Sequence, residues 1–358
     1  MSLTFQEKVK RCNAFWTGAP VERPMIGFSL GGWFPFQEYT AMRKFRGQTR
    51  PLTADQIVPA EFMKDYDNIV AQWEEVDDDV IRSVAPIAPF PWLESMLGSA
   101  IDVGEDSVWA REGDFDFADI NKLDFSESNP WRRKYLEFAA ALKGHFGDRV
   151  PIGQPIMRGV SDLIAALRTS TRMIFDLYDH GEEILRLGRL LTAFMVKLVK
   201  DQQDVTGPFN GGYCIEQYTL WAPGRILRMQ EDASALVSPD LFDKFLKEEE
   251  RRQAAAFPYS LIHLHTSSLF LVDRICTIEP LKCLQINKDA GKIAVPQMIP
   301  YLKGVQGRGK KLLVRGKLTR DDLALLRQSL SPAGLFLQIV VESAAETKEL
   351  KEFVEPWI

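Results

Sequence analysis

Two histidines one residue apart, His263 and His265, are the residues of this sequence best suited to chemistry. They lie in segment 260–268, whose apolar residues favour a strand. Side chains alternate along a strand, so both imidazoles point to one face while Ile262 and Leu264 point to the other. Two imidazoles at this spacing can share a zinc ion or flank an anionic substrate group. Alternatively, they are hydrogen-bonded polar residues that organise loops.

A second polar group follows the next apolar segment, residues 283–287. Alternation sends Gln285 and Asn287 to one side of that strand, and Asp289 comes just past its end. Asp289 is therefore a candidate catalytic residue of the histidine pocket, and Asn287 a candidate substrate contact. In the competing interpretation, Asp289 only starts the turn before Gly291.

Two adjacent acids, Glu231 and Asp232, precede a helix start at Ser238 and Pro239. Ser238 is a favourable N-cap, and Pro239 suits the first helical position. Carboxylates in a loop between a strand and a helix can act as general acid or base, or bind metal, if burial raises their pKa. A solvated loop is the alternative.

Short apolar segments alternate with amphipathic helical segments, which is the pattern of β-α units around a parallel sheet. The strand candidates are residues 25–30, 150–154, 212–217, 226–229, 259–265, 283–287, 311–315 and 335–341. This number of strands predicts an α/β fold, a single (β/α)8 TIM barrel, with catalytic groups at the carboxyl ends of the strands. The motifs GxGxxG and GxxxxGK[ST] do not occur, so we expect no nucleotide cofactor.

The first 130 residues are less regular than the rest of the chain. They contain an acidic run at 74–79, which is typical of a solvated face, and a proline-rich stretch at 85–91. We interpret residues 1–130 as an irregular N-terminal elaboration of one barrel domain that spans residues 1–358.

Charge and hydropathy argue against several classes of protein. Acidic and basic residues are interspersed, with a net charge of −5, and form no basic stripe of the kind that binds nucleic acid. No stretch approaches the roughly 20 continuous apolar residues of a membrane span, and the first residues do not resemble a secretion signal. We therefore expect a cytoplasmic protein that binds neither nucleic acid nor membranes.

The order of several segments resembles the uroporphyrinogen decarboxylase superfamily. These segments are 153–157, 161–204, 229–239, the histidine strand and 284–289, which together span most of the chain. The resemblance implies a (β/α)8 barrel enzyme, either a decarboxylase of a tetrapyrrole or a methyltransferase that moves a methyl group between a corrinoid and a thiol. Gln154, in the first of these segments, is a further candidate for contacting substrate.

Two departures from the family favour the methyltransferase branch. True decarboxylases carry an arginine-rich RQAGR motif after the first strand and an aspartate in an FSD motif. This chain reads FSLGGWFP at 28–35 and APFP at 88–91, without the arginines or the aspartate. A porphyrinogen bearing many carboxylates needs cationic partners, because burying unpaired charges is very costly.

The resemblance also implies a metal site. Methyltransferases of the family bind zinc through a His-x-Cys motif and a later cysteine. His263 falls on that histidine, whereas His265 replaces the first cysteine. No cysteine lies at 338–342, so Glu342, or Asp289 from the neighbouring strand, is the candidate third ligand of a Zn²⁺ site.

The leading hypothesis is thus a methyl-transferring enzyme that acts on a methylated small molecule or with a corrinoid protein. In this hypothesis His263 and His265 hold the metal, while Glu231 or Asp232 handles protons. Family members are commonly dimers, so a homodimer is a further expectation.

Two other hypotheses stay open. In the first, metal-independent decarboxylation of a tetrapyrrole or aromatic acid uses His263, Asp232 or Asp289 as the proton donor. In the second, the barrel binds a tetrapyrrole or corrinoid without chemical change, and Trp33 and Tyr213 provide apolar contacts. Those aromatic residues are otherwise expected to seal the barrel or to form a dimer contact.

Overall fold

The structure is a computed structural model that describes residues 3–31, 35–355 and 357, with only the backbone for residues 35 and 36. Its strands are β1 (Met25–Leu30), β2 (Ile101–Val103), β3 (Val108–Ala110), β4 (Tyr213–Ile215), β5 (Leu220–Ala222), β6 (Ile226–Gln230), β7 (Tyr259–Leu264), β8 (Cys283–Lys288), β9 (Lys311–Gly316) and β10 (Leu335–Val341).

The α-helices of these residues are α1 (Phe5–Thr17), α2 (Pro35–Glu38), α3 (Met63–Trp73), α4 (Trp92–Met96), α5 (Pro130–Phe146), α6 (Val160–Arg168), α7 (Ser170–Asp179), α8 (Gly181–Thr206), α9 (Pro239–Phe245), α10 (Lys247–Ala255), α11 (Val272–Cys276), α12 (Val295–Gly307), α13 (Arg320–Ser329) and α14 (Ala344–Val354). Short 3₁₀ helices lie at Thr40–Phe45, Ala54–Gln56, Pro59–Phe62, Phe117–Lys122, Asp232–Leu236 and Thr266–Leu271. Within the described part of the chain, no helix combines the length and the apolar character that crossing a bilayer requires.

Six strands form one parallel sheet in the order β1-β10-β9-β8-β7-β6. Strand β1 comes from the irregular N-terminal part and pairs with β10 near the other end of the chain. From Ser260 to Leu264, every residue of β7 is buried, because both faces of the sheet are covered. The fold is therefore α/β with a mostly parallel central sheet, as the alternation of apolar and amphipathic segments predicts.

Shorter segments extend the hydrogen bonding beyond β1. The amide of Asp79 donates to the carbonyl of Ile26 at 2.9 Å. Isolated parallel bridges then join Val84 to Ile152 and Gln154 to Ile215. The predicted strand at 150–154 is thus reduced to isolated bridges, and the one predicted at 212–217 shortens to β4.

Local capping signals explain where the helices after the sheet strands begin. The Ser238 hydroxyl accepts a hydrogen bond from the Leu241 amide at 3.3 Å, as an N-cap of α9 should. The helical run predicted at 161–204 is divided into α6, α7 and α8, with Thr169 between the first two in a left-handed conformation (φ 67°).

Candidate metal centre

The register of three neighbouring strands brings polar side chains to one level. Gln230 of β6 is aligned with His263 of β7, and His263 is aligned with Gln285 of β8. In parallel strands aligned residues point to the same face of the sheet. Two residues further along each segment come Asp232, His265 and Asn287.

Asp232 faces both imidazoles. Its Oδ1 atom lies 3.8 Å from Nε2 of His263 and 3.8 Å from Nε2 of His265, beyond hydrogen-bond length. Oδ1 is also buried without a hydrogen-bond partner among the described residues. One ligand atom from each of the three residues lies within 4.8 Å of the others, and we call this group the candidate metal centre. Two ligands of a tetrahedral Zn²⁺ with bonds of about 2.0–2.1 Å are about 3.4 Å apart, so an ion fits.

Asp289 orients His265 from the side away from Asp232. Its Oδ1 accepts from Nδ1 of His265 at 2.7 Å, and its Oδ2 accepts from the amide and the hydroxyl of Thr266 at 2.8 Å each. Burial raises the pKa of Asp289, but the hydrogen bonds from His265 and Thr266 outweigh it and lower that pKa below its ordinary value. The carboxylate therefore stays charged and leaves Nε2 of His265 for a metal, as in carboxylate-histidine-metal triads.

His263 is held through its other ring nitrogen as well. Its Nδ1 contacts Oε1 of Gln285 and lies 3.0 Å from the hydroxyl of Tyr218. Burial, followed by the nearby charge of Arg228, lowers the pKa of His263 well below its ordinary value. The imidazole is therefore neutral, which is the form that binds metal. Asn287 lies one step further out, where its Oδ1 accepts from Nε2 of Gln285 at 2.9 Å.

The second oxygen of Asp232 connects the centre to a buried arginine. Gln230 donates to Oδ2 of Asp232 at 2.7 Å, and Arg228 donates to Oε1 of Gln230 at 2.6 Å. Burial, together with the negative charge of Asp162, raises the pKa of Asp232 to about 6. Asp232 also lines a cavity of about 310 Å³ that Arg158 shares.

Glu342, one predicted metal ligand, is not part of this group. The chain turns after β10 into α14, and the Glu342 carboxylate accepts from Nζ of Lys317 at 2.5 Å. Both side chains are exposed. The prediction of Glu342 as the third ligand is therefore corrected, and Asp232 supplies the carboxylate beside the two histidines.

Glu231 points away from its neighbour. Its two oxygens accept from the amides of Val160 and Ser161 at 2.8 Å each, at the amino terminus of α6. This is how a buried carboxylate stabilises a helix terminus. The expectation that Glu231 handles protons at the histidines is therefore replaced by a structural role.

The remaining predicted contacts lie outside the centre. The amide of Gln154 hydrogen bonds to the backbone nitrogen and oxygen of Arg228 at 2.7 and 2.9 Å, so it links segments rather than facing a ligand. The ring of Tyr213 lies 5.8 Å from the guanidinium of Arg225 and packs on a buried apolar cluster that includes Ile215 and Trp221. Trp33 lies outside the described residues.

Several described residues that hold the site were not predicted as members of it. Tyr218 and Gln285 orient His263, and Arg228 holds Gln230. One signal was available for two of them. Arg228 and Gln285 are polar residues on the inward-facing positions of otherwise apolar strands, and such residues are rarely buried without a hydrogen-bonding task.

Comparison with known proteins gives a likeness of fold. No family model matches the sequence, and no curated protein matches it either. Among solved structures, a methyltransferase from Methanosarcina mazei is similar, with a TM-score of 0.63 over 98% of this chain and 98% of that one. The two sequences are 14% identical. The likeness therefore concerns the fold and extends along nearly the whole chain.

Proposed function

We propose that this protein is a methyl-transferring enzyme whose centre holds a divalent metal ion, Zn²⁺ by its donor set, on Asp232, His263 and His265. The observation that carries the proposal is the unpartnered Oδ1 of Asp232, which faces Nε2 of both histidines at 3.8 Å. Two imidazole nitrogens and one carboxylate oxygen are a common ligand set for catalytic zinc, which leaves a position for substrate.

The contacts that hold the two imidazole rings support this proposal over a purely structural histidine pair. Both histidines use Nδ1 for orientation, through Asp289 and Gln285, and so direct Nε2 towards Asp232. A bound divalent ion would supply Lewis-acid chemistry that lowers the pKa of a thiol or hydroxyl acceptor. The side chains themselves hold the two rings, exclude most solvent from His263 and keep it neutral.

The proposal includes a closed (β/α)8 barrel of the uroporphyrinogen decarboxylase superfamily. Support comes from the hydrogen bonds and bridges that continue from β1 through Asp79, Val84, Ile152 and Gln154 to Ile215. Gln154 then reaches the backbone of β6, the opposite edge strand of the six-stranded sheet. In such a barrel, the candidate metal centre lies at the carboxyl ends of the strands, where these enzymes carry out their chemistry.

The methyl carrier in this proposal is a corrinoid, free or bound to a partner protein. The likeness to a methyltransferase fold and the resemblance of the motifs support a methyl-transfer reaction over decarboxylation. The missing arginines in segment 28–35 and the missing aspartate in segment 88–91 argue in the same direction.

The experiment joins metal binding to turnover. Metal-free protein is titrated with Zn²⁺ by calorimetry, and methyl transfer from methylcobalamin to a small thiol is followed by the cobalamin absorbance. We expect one Zn²⁺ per chain and zinc-dependent demethylation, both lost in His263→Ala and both retained in His180→Ala, a control at an exposed histidine. Absence of stoichiometric metal, together with undiminished methyl transfer in His263→Ala, would contradict the proposal.

A further inference from the structure

A second, larger cavity of about 610 Å³ opens beside β1 and β10. Its apolar wall includes Phe28, Tyr39 and Trp73. Its charged lining residues within the described part of the chain are Glu38, Asp65, Glu75, Arg82, Glu216 and Glu342. Five of these six residues are acids.

Three of these six charged residues already have partners. Asp65 accepts from the hydroxyl of Thr40 and the amide of Ala41. The single cation, Arg82, pairs with buried Asp78 behind the cavity wall. Glu342 pairs with Lys317, as described above.

Glu38 and Glu216 are the acids that lie deepest without such partners. Glu38 makes no hydrogen bond or ion pair with any described side chain, and burial, then the charge of Glu216, raises its pKa to about 8. Burial likewise raises the pKa of Glu216 to about 7, although Arg228 and Arg315 act against it. The charge of Glu216 raises the cost of ionising Glu38, and a cation bound between the two carboxyl groups would offset that cost.

A buried glutamine with an unpartnered acceptor also lines this cavity. Gln338 of β10 lines the cavity and is 1% exposed. Its Nε2 donates to the carbonyl of Gln217, next to Glu216, at 3.1 Å. Its Oε1 is buried and has no hydrogen-bond partner among the described residues. An unsatisfied buried acceptor destabilises the protein unless a donor pairs with it.

We infer that the large cavity binds the protonated amine of an alkylammonium substrate, with Glu38 and Glu216 as its counter-ions and Oε1 of Gln338 as an acceptor for its N–H. An ammonium group offers several N–H donors, which suits three acceptors better than a quaternary cation without donors. The apolar wall would receive the alkyl stem. The role of the alkylammonium ligand as a substrate rests on the proposed function, whereas its binding to the cavity does not.

A chain of hydrogen bonds connects this cavity with the candidate metal centre. Gln217 lines the cavity and accepts from Nε of Arg228 at 2.8 Å. Arg228 donates to Gln230, and Gln230 donates to Asp232. A substrate anchored at Glu38 and Glu216 therefore lies on the same polar network as the metal ligand Asp232.

The test compares hexylammonium with its neutral counterpart 1-hexanol, by ligand-observed NMR titration of the full chain. We expect hexylammonium to bind at least tenfold more tightly than 1-hexanol. Glu38→Gln is expected to remove this preference, and Gln338→Leu to weaken hexylammonium binding at least threefold. Glu352→Gln, an exposed acid on α14, serves as the matched control and should change neither affinity.

Equal affinities for the two probes in the wild type would overturn the inference, as would an unchanged preference in Glu38→Gln. The Zn²⁺ affinity of Glu38→Gln is measured in parallel and should equal that of the wild type. If Zn²⁺ binds while the ammonium preference is absent, the ammonium inference fails alone. If the preference is present and Zn²⁺ does not bind, the metal part of the proposed function fails instead.

Discussion

Glu231 and Asp232 are neighbours in the chain, but their carboxylates lie in two regions with different surroundings. In the first, which we call the helix-cap region, both oxygens of Glu231 accept backbone hydrogen bonds from Val160 and Ser161 at 2.8 Å. In the candidate metal centre, one oxygen of Asp232 has no partner and faces two imidazole nitrogens at 3.8 Å. One residue of separation therefore divides an acid that accepts hydrogen bonds from a helix terminus from an acid that faces the two histidines.

The comparison teaches that a raised pKa alone does not identify a functional acid. Burial is the largest influence on the pKa of both residues and raises it in each case. What differs is the hydrogen bonding of the carboxylate. Each oxygen of Glu231 accepts from a backbone amide, whereas Oδ1 of Asp232 has no partner among the described residues. The predictions below test this difference, in order of decreasing effect.

Replacement of Asp232, whose Oδ1 has no hydrogen-bond partner among the described residues, should have the largest effect on metal binding. We expect Asp232→Ala to weaken Zn²⁺ binding by more than ~100-fold, since losing a ligand costs more than losing an outer-shell partner. The unfolding free energy of the metal-free protein should change by only about 1 kcal/mol, the worth of the lost hydrogen bond to Gln230. Competition with a chromophoric chelator measures the affinity. An affinity equal to that of the wild type would contradict the assignment.

Replacement of Glu231, whose two oxygens both accept hydrogen bonds, should instead lower stability more than metal binding. Glu231→Ala leaves the buried amides of Val160 and Ser161 without acceptors, and we expect unfolding to become easier by about 2–4 kcal/mol. The relief of repulsion on Glu250, whose pKa burial and then Glu231 raise, offsets a part of this loss. Urea denaturation of the metal-free protein measures the change. Unaltered stability with lost Zn²⁺ binding would erase the distinction between the two regions.

An intermediate effect on Zn²⁺ affinity is expected at Asp289, which contacts His265 and not the metal itself. Asp289→Asn removes the charge that holds Nδ1 of His265, so Zn²⁺ affinity should fall by roughly 10–100-fold. The same chelator competition applies. If affinity is unchanged, His265 does not depend on Asp289 for its orientation.

The smallest effect is expected at the carboxylate that sequence reasoning placed on the metal. Glu342→Gln breaks an exposed pair with Lys317, which contributes little to stability. Zn²⁺ affinity should remain that of the wild type. A loss as large as that of Asp232→Ala would restore Glu342 as a ligand.

The sheet could be predicted from the sequence because apolar alternation determines where strands form. The six strands of the parallel sheet agree with the predicted segments to within one residue at either end. The grouping of His263 and His265 with Asp289 was also predictable, since the carboxyl ends of neighbouring parallel strands meet.

The side-chain directions in the loops were not predictable in the same way. Glu231 and Asp232 both follow β6, and only the position of α6 decides which of them meets backbone amides. Gln154 replaces missing strand pairing by hydrogen bonding to the backbone of Arg228, which periodicity does not encode. Glu342 turns towards Lys317 because α14 begins two residues later.

The most direct test of the central claim is the location of the metal. Crystals grown with Zn²⁺ are measured on both sides of the zinc absorption edge, and an anomalous difference map is calculated. The account predicts one strong zinc peak at about 2.0–2.2 Å from a carboxylate oxygen of Asp232 and from Nε2 of His263 and His265. A map with no zinc at these three residues, or with zinc only elsewhere on the protein, would contradict it.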